Sequence, residues 1–157
     1  GRPSPVPTMN IRELSAAECR HLVERNRLAR LACSLDGQPY VVPISCVYDA
    51  HFLYAFTMPG RKLDILRANP RAALLFEELG DGTGWTTVIA EGSFEELIDR
   101  PGHENLRGHA WSLLSQHANW WEPGAIKPAK PAPGDQTAHV FFRVHVDRMS
   151  GREAVEA

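Results

Sequence analysis

The sequence predicts a mainly β fold with flanking helices, in which six antiparallel strands close into a small barrel. Three observations carry this prediction. Apolar runs of strand length recur at short intervals from Leu28 to Ile98 and again from His139 to Asp147. Tight-turn residues such as Asp36-Gly37 separate them, which favours hairpins. Helical patterning is confined to short segments, so the alternating rhythm of a doubly wound parallel sheet is absent. Closing the hairpins on themselves would remove exposed strand edges.

The elements follow in order. Gly1 to Thr8 hold three prolines and no periodic pattern, and the Gly1 start with an internal Met9 suggests a processed leader or a cloning remnant. We therefore set residues 1–10 apart as a flexible N-terminal arm, 11–150 as one domain and 151–157 as a C-terminal tail. Ser15-Ala16-Ala17-Glu18 has capping-box spacing and starts a helix with Cys19, Leu22 and Val23 on its inner stripe, ending near Asn26. Leu28 to Leu35 and Tyr40 to Tyr48 read as paired strands. In the second, Tyr40, Val42, Ile44, Cys46 and Tyr48 share one face, and Val41, Pro43, Ser45 and Val47 the other. Both faces are largely apolar, so neither is expected to be freely solvated. Pro43 has no N–H for a ladder and predicts a bulge or an edge.

After a turn at Asp49-Ala50-His51 come a strand from Phe52 to Thr57, a short helix ending before Pro70, and a strand from Ala72 to Glu77. Gly80 to Gly84 reads as an exposed loop. Trp85 to Ile98 is a long strand interrupted at Gly92, where a bend or bulge is expected. Pro101 suits the first turn of a helix running through Leu106, Ala110, Leu113 and Leu114 toward Trp120. The four prolines between Glu122 and Gln136 predict an extended loop. His139 to Asp147 alternates well, except that Phe141 breaks the pattern.

Bulk properties exclude several classes. A formal net charge of -2 gives no generic nucleic-acid or membrane surface, so any anion site must be local. No apolar run approaches the roughly 20 residues of a membrane span. Cys19, Cys33 and Cys46 are odd in number and lack C-x-x-C spacing, which suggests buried thiols in a reducing compartment and hence the cytoplasm.

The segment with most chemical content is Gly60-Arg61-Lys62-Leu63-Asp64-Ile65-Leu66-Arg67-Ala68-Asn69-Pro70, which follows the strand through Met58-Pro59. It reads as a turn opening a helix whose first turn carries two cations beside unpaired backbone N–H groups. Such a corner suits a phosphate monoester. A plain surface turn before an amphipathic helix, with Leu63, Leu66 and Ala68 partly buried, fits the same residues.

That run, together with Tyr40-Val41-Val42-Pro43-Ile44, the preceding helix and the aromatic strand, resembles the pyridoxamine 5'-phosphate oxidase-like superfamily of FMN-binding split barrels, and most of all the branch of nitroimidazole-resistance flavoproteins. The similarity spans roughly Ile11 to Leu97, with a weaker match at Val144 to Arg152. The resemblance implies a six-stranded antiparallel split β-barrel acting as a homodimer, with FMN at the subunit interface. It implies that Arg61 and Lys62 hold the phosphate, helped by Thr57 or the Met58 to Gly60 backbone. Pro43, Ile44, Ser45 and Val47 would line the ring edge, and Trp85, Thr86, Thr87 and Val88 would reach the ring or its ribityl chain. The flavin would carry electrons to or from a small molecule, in a nitroreductase-like flavin-dependent oxidoreductase. A non-catalytic flavin-binding protein and a haem-binding member of the same fold remain as alternatives; for haem, His51, His139 and His145 are the available histidines. No catalytic residue is assigned, and a second phosphate cluster for vitamin B6 is not evident, with Arg143 and His145 the candidates by composition.

Other constellations carry less. His103, His109 and His117 are spaced too irregularly for a metal-binding helix face. Glu91, Glu95 and Glu96 read as a solvated rim. Trp111, Trp120 and Trp121 suit either a flavin cover or core packing.

Overall fold

The computed structural model of the chain describes residues 8–80, 82–98, 100–102, 104–117 and 140–157. Seven strands and three helices follow the order β1 (Met9–Glu13), α1 (Ala16–Arg25), β2 (Leu28–Leu35), β3 (Gln38–Asp49), β4 (Phe52–Thr57), α2 (Arg61–Ala68), β5 (Arg71–Leu79), β6 (Trp85–Glu96), α3 (Glu104–His117) and β7 (Val140–Glu156). All strand pairs are antiparallel. The sheet order is β1-β7-β4-β3-β2-β5-β6, and β6 pairs again with β7. The architecture is mainly β, an antiparallel seven-stranded sheet with three flanking helices, consistent with the split-barrel family.

The side chains that alternate inward from the strands make the main core. It holds Leu31, Ile44, Leu53, Leu74, Phe76 and Val88, with Leu63, Ile65 and Leu66 of α2 also buried. Helix α1 adds Cys19, Leu22 and Val23, and Ser15 caps it as its spacing predicts: its hydroxyl accepts from the Glu18 amide while the Glu18 carboxylate accepts from the Ser15 amide. A second apolar cluster lies where α3 packs on β4 and β7. There Ala110 and Leu114 meet Tyr54, Phe56 and Phe141. This explains the break at Phe141: the start of β7 is buried on both faces, with Phe142 and Val144 in the main core.

Several expectations change. Met9 and Asn10, set apart with the arm, lie in β1, and Gly151 to Glu156, set apart as a tail, lie in β7. The two segments pair with each other from Met9↔Glu156 to Glu13↔Arg152. Helix α3 starts at Glu104 rather than at Pro101, because Gly102 takes φ +92 and donates its N–H to the Glu104 carboxylate at 3.0 Å. In α2, Ile65 is buried and Ala68 is exposed. Pro43 sits at an edge without a bulge: its register with Arg30 of β2 is regular, while pairing of β3 with β4 runs only from Cys46 to Asp49. The face of β3 carrying Val41 and Pro43 is open in the single chain, with Val41 60% exposed. At Gly92 the expected irregularity is present as a register shift between Glu91 and Gly92 against β7. Trp120, Trp121, His139 and the proline-rich 122–136 segment lie outside the described residues. Among the described residues no helix is long and apolar enough to cross a membrane.

Candidate functional site

Helix α2 is inserted between β4 and β5, and its apolar side, Leu63, Ile65 and Leu66, anchors it to the core. That burial leaves Arg61 and Lys62 at its first turn, beside the end of the β2–β3 hairpin. The Arg61 guanidinium lies over the Tyr40 ring, 4.6 Å from its centroid. Lys62 is half-buried near Cys33. Burial pushes its ammonium below the ordinary value, with the Cys33 thiol acting in the opposite direction. Cys33 is itself raised by burial, while Lys62 and Arg61 favour its thiolate.

Most arginines of the described residues are ion-paired, with Arg27 and Arg152 among the exceptions. Arg12, Arg25, Arg30, Arg67, Arg71 and Arg143 each meet a carboxylate within 3.3 Å. Among the described residues, neither Arg61 nor Lys62 has a carboxylate within ion-pairing distance. Both stand at the end of the helix where the macrodipole disfavours cations. No side chain caps this end; Gly60 is extended, with φ 170. Two unpaired cations, one partly desolvated, beside free helical N–H groups fit a phosphate-bearing group.

The other expected residues are placed as follows. Thr57 is 3% exposed and its hydroxyl donates to the Met58 carbonyl at 3.0 Å, so it shapes the turn into the corner. Met58 is exposed, and nothing lies within 4 Å of where a Gly60 Cβ would be. Ile44 and Val88 direct their side chains into the core. Pro43 and Ser45 stand on the opposite face of β3 from Ile44, and Val47 on that face packs against the α3 cluster. Thr86 lines a small cleft with His21, Arg25 and Glu153. Thr87 lines a groove of about 420 Å³ with Ile89, Arg148, Ser150 and Arg152. Trp85 pairs with Leu79 and Ala154.

Arg143 is held by Glu95, Nε to Oε2 at 3.1 Å, and lies over the Phe52 ring at 3.9 Å. The glutamates read as a rim are paired with arginines: Glu91 with Arg148, Glu95 with Arg143 and Glu96 with Arg67. His109 pairs with Asp49 at 3.0 Å. Trp111 packs in the cluster beneath α3. His51 and His145 are exposed.

Sequence reasoning missed Tyr40, Cys33, Asp36, Gln38 and Asp64 as neighbours of the cationic corner. Asp64 was available as the i+3 neighbour of Arg61. The others arrive through the hairpin turn, which no local pattern connects to α2.

The family model of pyridoxamine 5'-phosphate oxidase matches residues 15–153. The chain therefore belongs to this family, within the FMN-binding split-barrel superfamily. An uncharacterized protein of Rhizobium meliloti (strain 1021) is 43% identical over 146 residues, 93% of this chain and 97% of that protein. A crystal structure described as a FAD-binding protein from Mesorhizobium loti is 48% identical, with a TM-score of 0.77, covering 95% of this chain and 100% of that one. A candidate 5-nitroimidazole antibiotic resistance protein from Bacteroides thetaiotaomicron shares the fold at TM-score 0.69, with 18% identity over 98% of this chain and 96% of that one. These similarities do not single out the nitroimidazole-resistance branch.

Proposed function

We propose that the chain binds a flavin through its phosphate at Arg61 and Lys62 and uses it in oxidation–reduction of a small molecule. The observation that carries this reading is the pair of cations at the first turn of α2, unpaired where neighbouring arginines are ion-paired. The FAD-binding relative from Mesorhizobium loti, at 48% identity, supports a flavin, and the superfamily supports FMN. The bound flavin would supply two-electron transfer between a nicotinamide donor and an acceptor such as a nitroaromatic or quinone. The protein would orient it: Arg61 and Lys62 fix the phosphate, Thr57 holds the turn, and the face of Pro43 and Ser45 lies along the ring edge. Thr87, with the backbone of Trp85 to Val88, would reach it from β6. Three free, buried cysteines suit a reducing compartment such as the cytoplasm.

A second copy would complete the site. On the outer face of β3, β2, β5 and β6, Pro43 stands opposite Arg30, Arg30 opposite Leu75, and Leu75 opposite Ile89. Val41 and Ile89 on this face are 60% and 42% exposed. Apart from Arg30, which pairs with Glu77, this exposed strip is apolar and suits a self-complementary homodimer interface.

The test is an absorption spectrum of concentrated protein before and after adding flavin and removing the excess. Retained bands at about 370 and 450 nm are expected from a bound flavin. Replacing Arg61 and Lys62 together by alanine should weaken binding at least about tenfold, from lost charge-assisted hydrogen bonds. Unchanged affinity in the double variant would move the phosphate elsewhere, and a sharp band at about 400 nm would indicate haem.

A further inference from the structure

We propose that Tyr40 is a positioning residue for the phosphate site: its ring holds the Arg61 guanidinium in place, with the N–H edge free, before a phosphate arrives. This rests on the flavin reading above and deepens it, because Tyr40 acts through Arg61 and touches no ligand itself.

Arg61 is an exposed cation at the helix end where the macrodipole disfavours one, and among the described residues no carboxylate lies within ion-pairing distance of it. A long side chain in that situation samples many rotamers in water, and gripping a phosphate costs it that freedom. Here the guanidinium carbon instead stands over the Tyr40 ring, 4.6 Å from its centroid, within the reach of cation–π attraction. Such stacking uses the flat face of the guanidinium. Its donors all lie in the plane, so they remain free for the two-point hydrogen bonding that phosphate favours. An ion pair would have used that edge. It does so at Arg25 and Arg67, where Nε and Nη2 both donate to one glutamate. Tyr40 orders the cation without consuming its donors.

The ring is itself held. Tyr40 is half-buried against the main core and pairs with Cys33 across the β2–β3 ladder. Cys33, on the same face, is the group beside Lys62. One cross-strand pair thus underlies both cations. At the far end of α2, the Asn69 side-chain amide donates to the Ser34 carbonyl at 2.8 Å. The helix is tied to the same hairpin at both ends, which keeps its first turn beside Tyr40.

Equilibrium dialysis of the full chain with FMN and with riboflavin, which lacks the phosphate, tests this. Tyr40→Leu should weaken FMN about fivefold, as loss of one cation–π contact predicts, and leave riboflavin affinity unchanged. Tyr40→Phe keeps the ring and should bind both as the natural protein does. In an Arg61→Ala background, Tyr40→Leu should cost nothing further. Unchanged FMN affinity in Tyr40→Leu, an equal loss for FMN and riboflavin, or a loss that persists without Arg61 would overturn the inference while leaving the flavin reading in place. If thermal unfolding shows Tyr40→Leu to be unfolded, Arg61→Lys decides: it keeps the charge and gives up the planar stack, so FMN affinity equal to that of the natural protein would overturn the inference. Retention of neither FMN nor riboflavin by the natural protein would overturn both readings.

Discussion

Glu18 shows how one side chain can close two local demands. It accepts from the Ser15 amide in the capping box, and it pairs with Arg12 at 2.6 Å across from β1. Its hydrogen bonds to Arg12 and to the Ser15 backbone hold the carboxyl at about 2, from an ordinary 4.5. A carboxyl depressed on folding stabilises the native state above its unfolded value and loses that contribution as pH falls through the folded value. Stability is therefore expected to fall as pH drops from about 4.5 toward 2, and Glu18→Gln should flatten that part of a thermal-unfolding pH profile. Because the pair is exposed, added salt should shrink the difference. The capping box was legible in sequence because its two partners are three residues apart. The cations at Arg61 and Lys62 were legible as well, being adjacent at the start of a helical pattern. Tyr40 under Arg61 was not legible, because only the three-dimensional meeting of a hairpin end with α2 brings it there.

Strand β7 is the element on which the others converge. It pairs with β4 through Val140 to His145, with β1 through Arg152 to Glu156, and with β6 along most of its length. Its first half was legible from alternating Val140, Phe142 and Val144. Its second half was not, because the residues facing inward there are small. Gly151 is one: a Cβ would stand 2.9 Å from the Thr87 carbonyl oxygen and 3.0 Å from the Cys19 sulfur. Ala154, 1% exposed, lies on the opposite face, beside its partners Trp85 and Ile11. Close packing of backbone against backbone replaces the large apolar side chains that mark a strand in sequence. The same argument makes Gly92 the most demanding position in β6. A Cβ there would lie 2.0 Å from the His145 carbonyl oxygen, at the point where the register shifts. Gly92→Ala should destabilise the fold by about 3 kcal/mol, the upper part of the overpacking range, read by denaturant unfolding. A change below about 0.5 kcal/mol would mean that the strands separate there at no cost.

At the scale of the whole molecule, the outer surface of the sheet is treated unequally. Over β4 and β7 it is covered by α3, while over β2, β5 and β6 no helix among the described residues covers it, and Ile89 there is 42% exposed. Ile89→Lys, which would bring a charge into the proposed homodimer interface, is expected to convert a dimer to monomer in analytical ultracentrifugation and to lower flavin retention with it. A natural protein that sediments as a monomer at micromolar concentration would remove the interface from the proposal. The sheet order was legible only in part, since hairpin neighbours follow from short turns but the return of β7 to β4, β6 and β1 joins residues far apart in the chain. That return has a consequence for biosynthesis. β7 lies C-terminal to every strand it pairs with, so a growing polypeptide can assemble β2, β3 and β4 while the edges of β4 and β6 still lack their final neighbour. Open edges of this kind are templates for pairing with other chains, and long-range closure is slow. The interval between translation of β6 and docking of β7 is thus when the nascent chain depends most on chaperone protection.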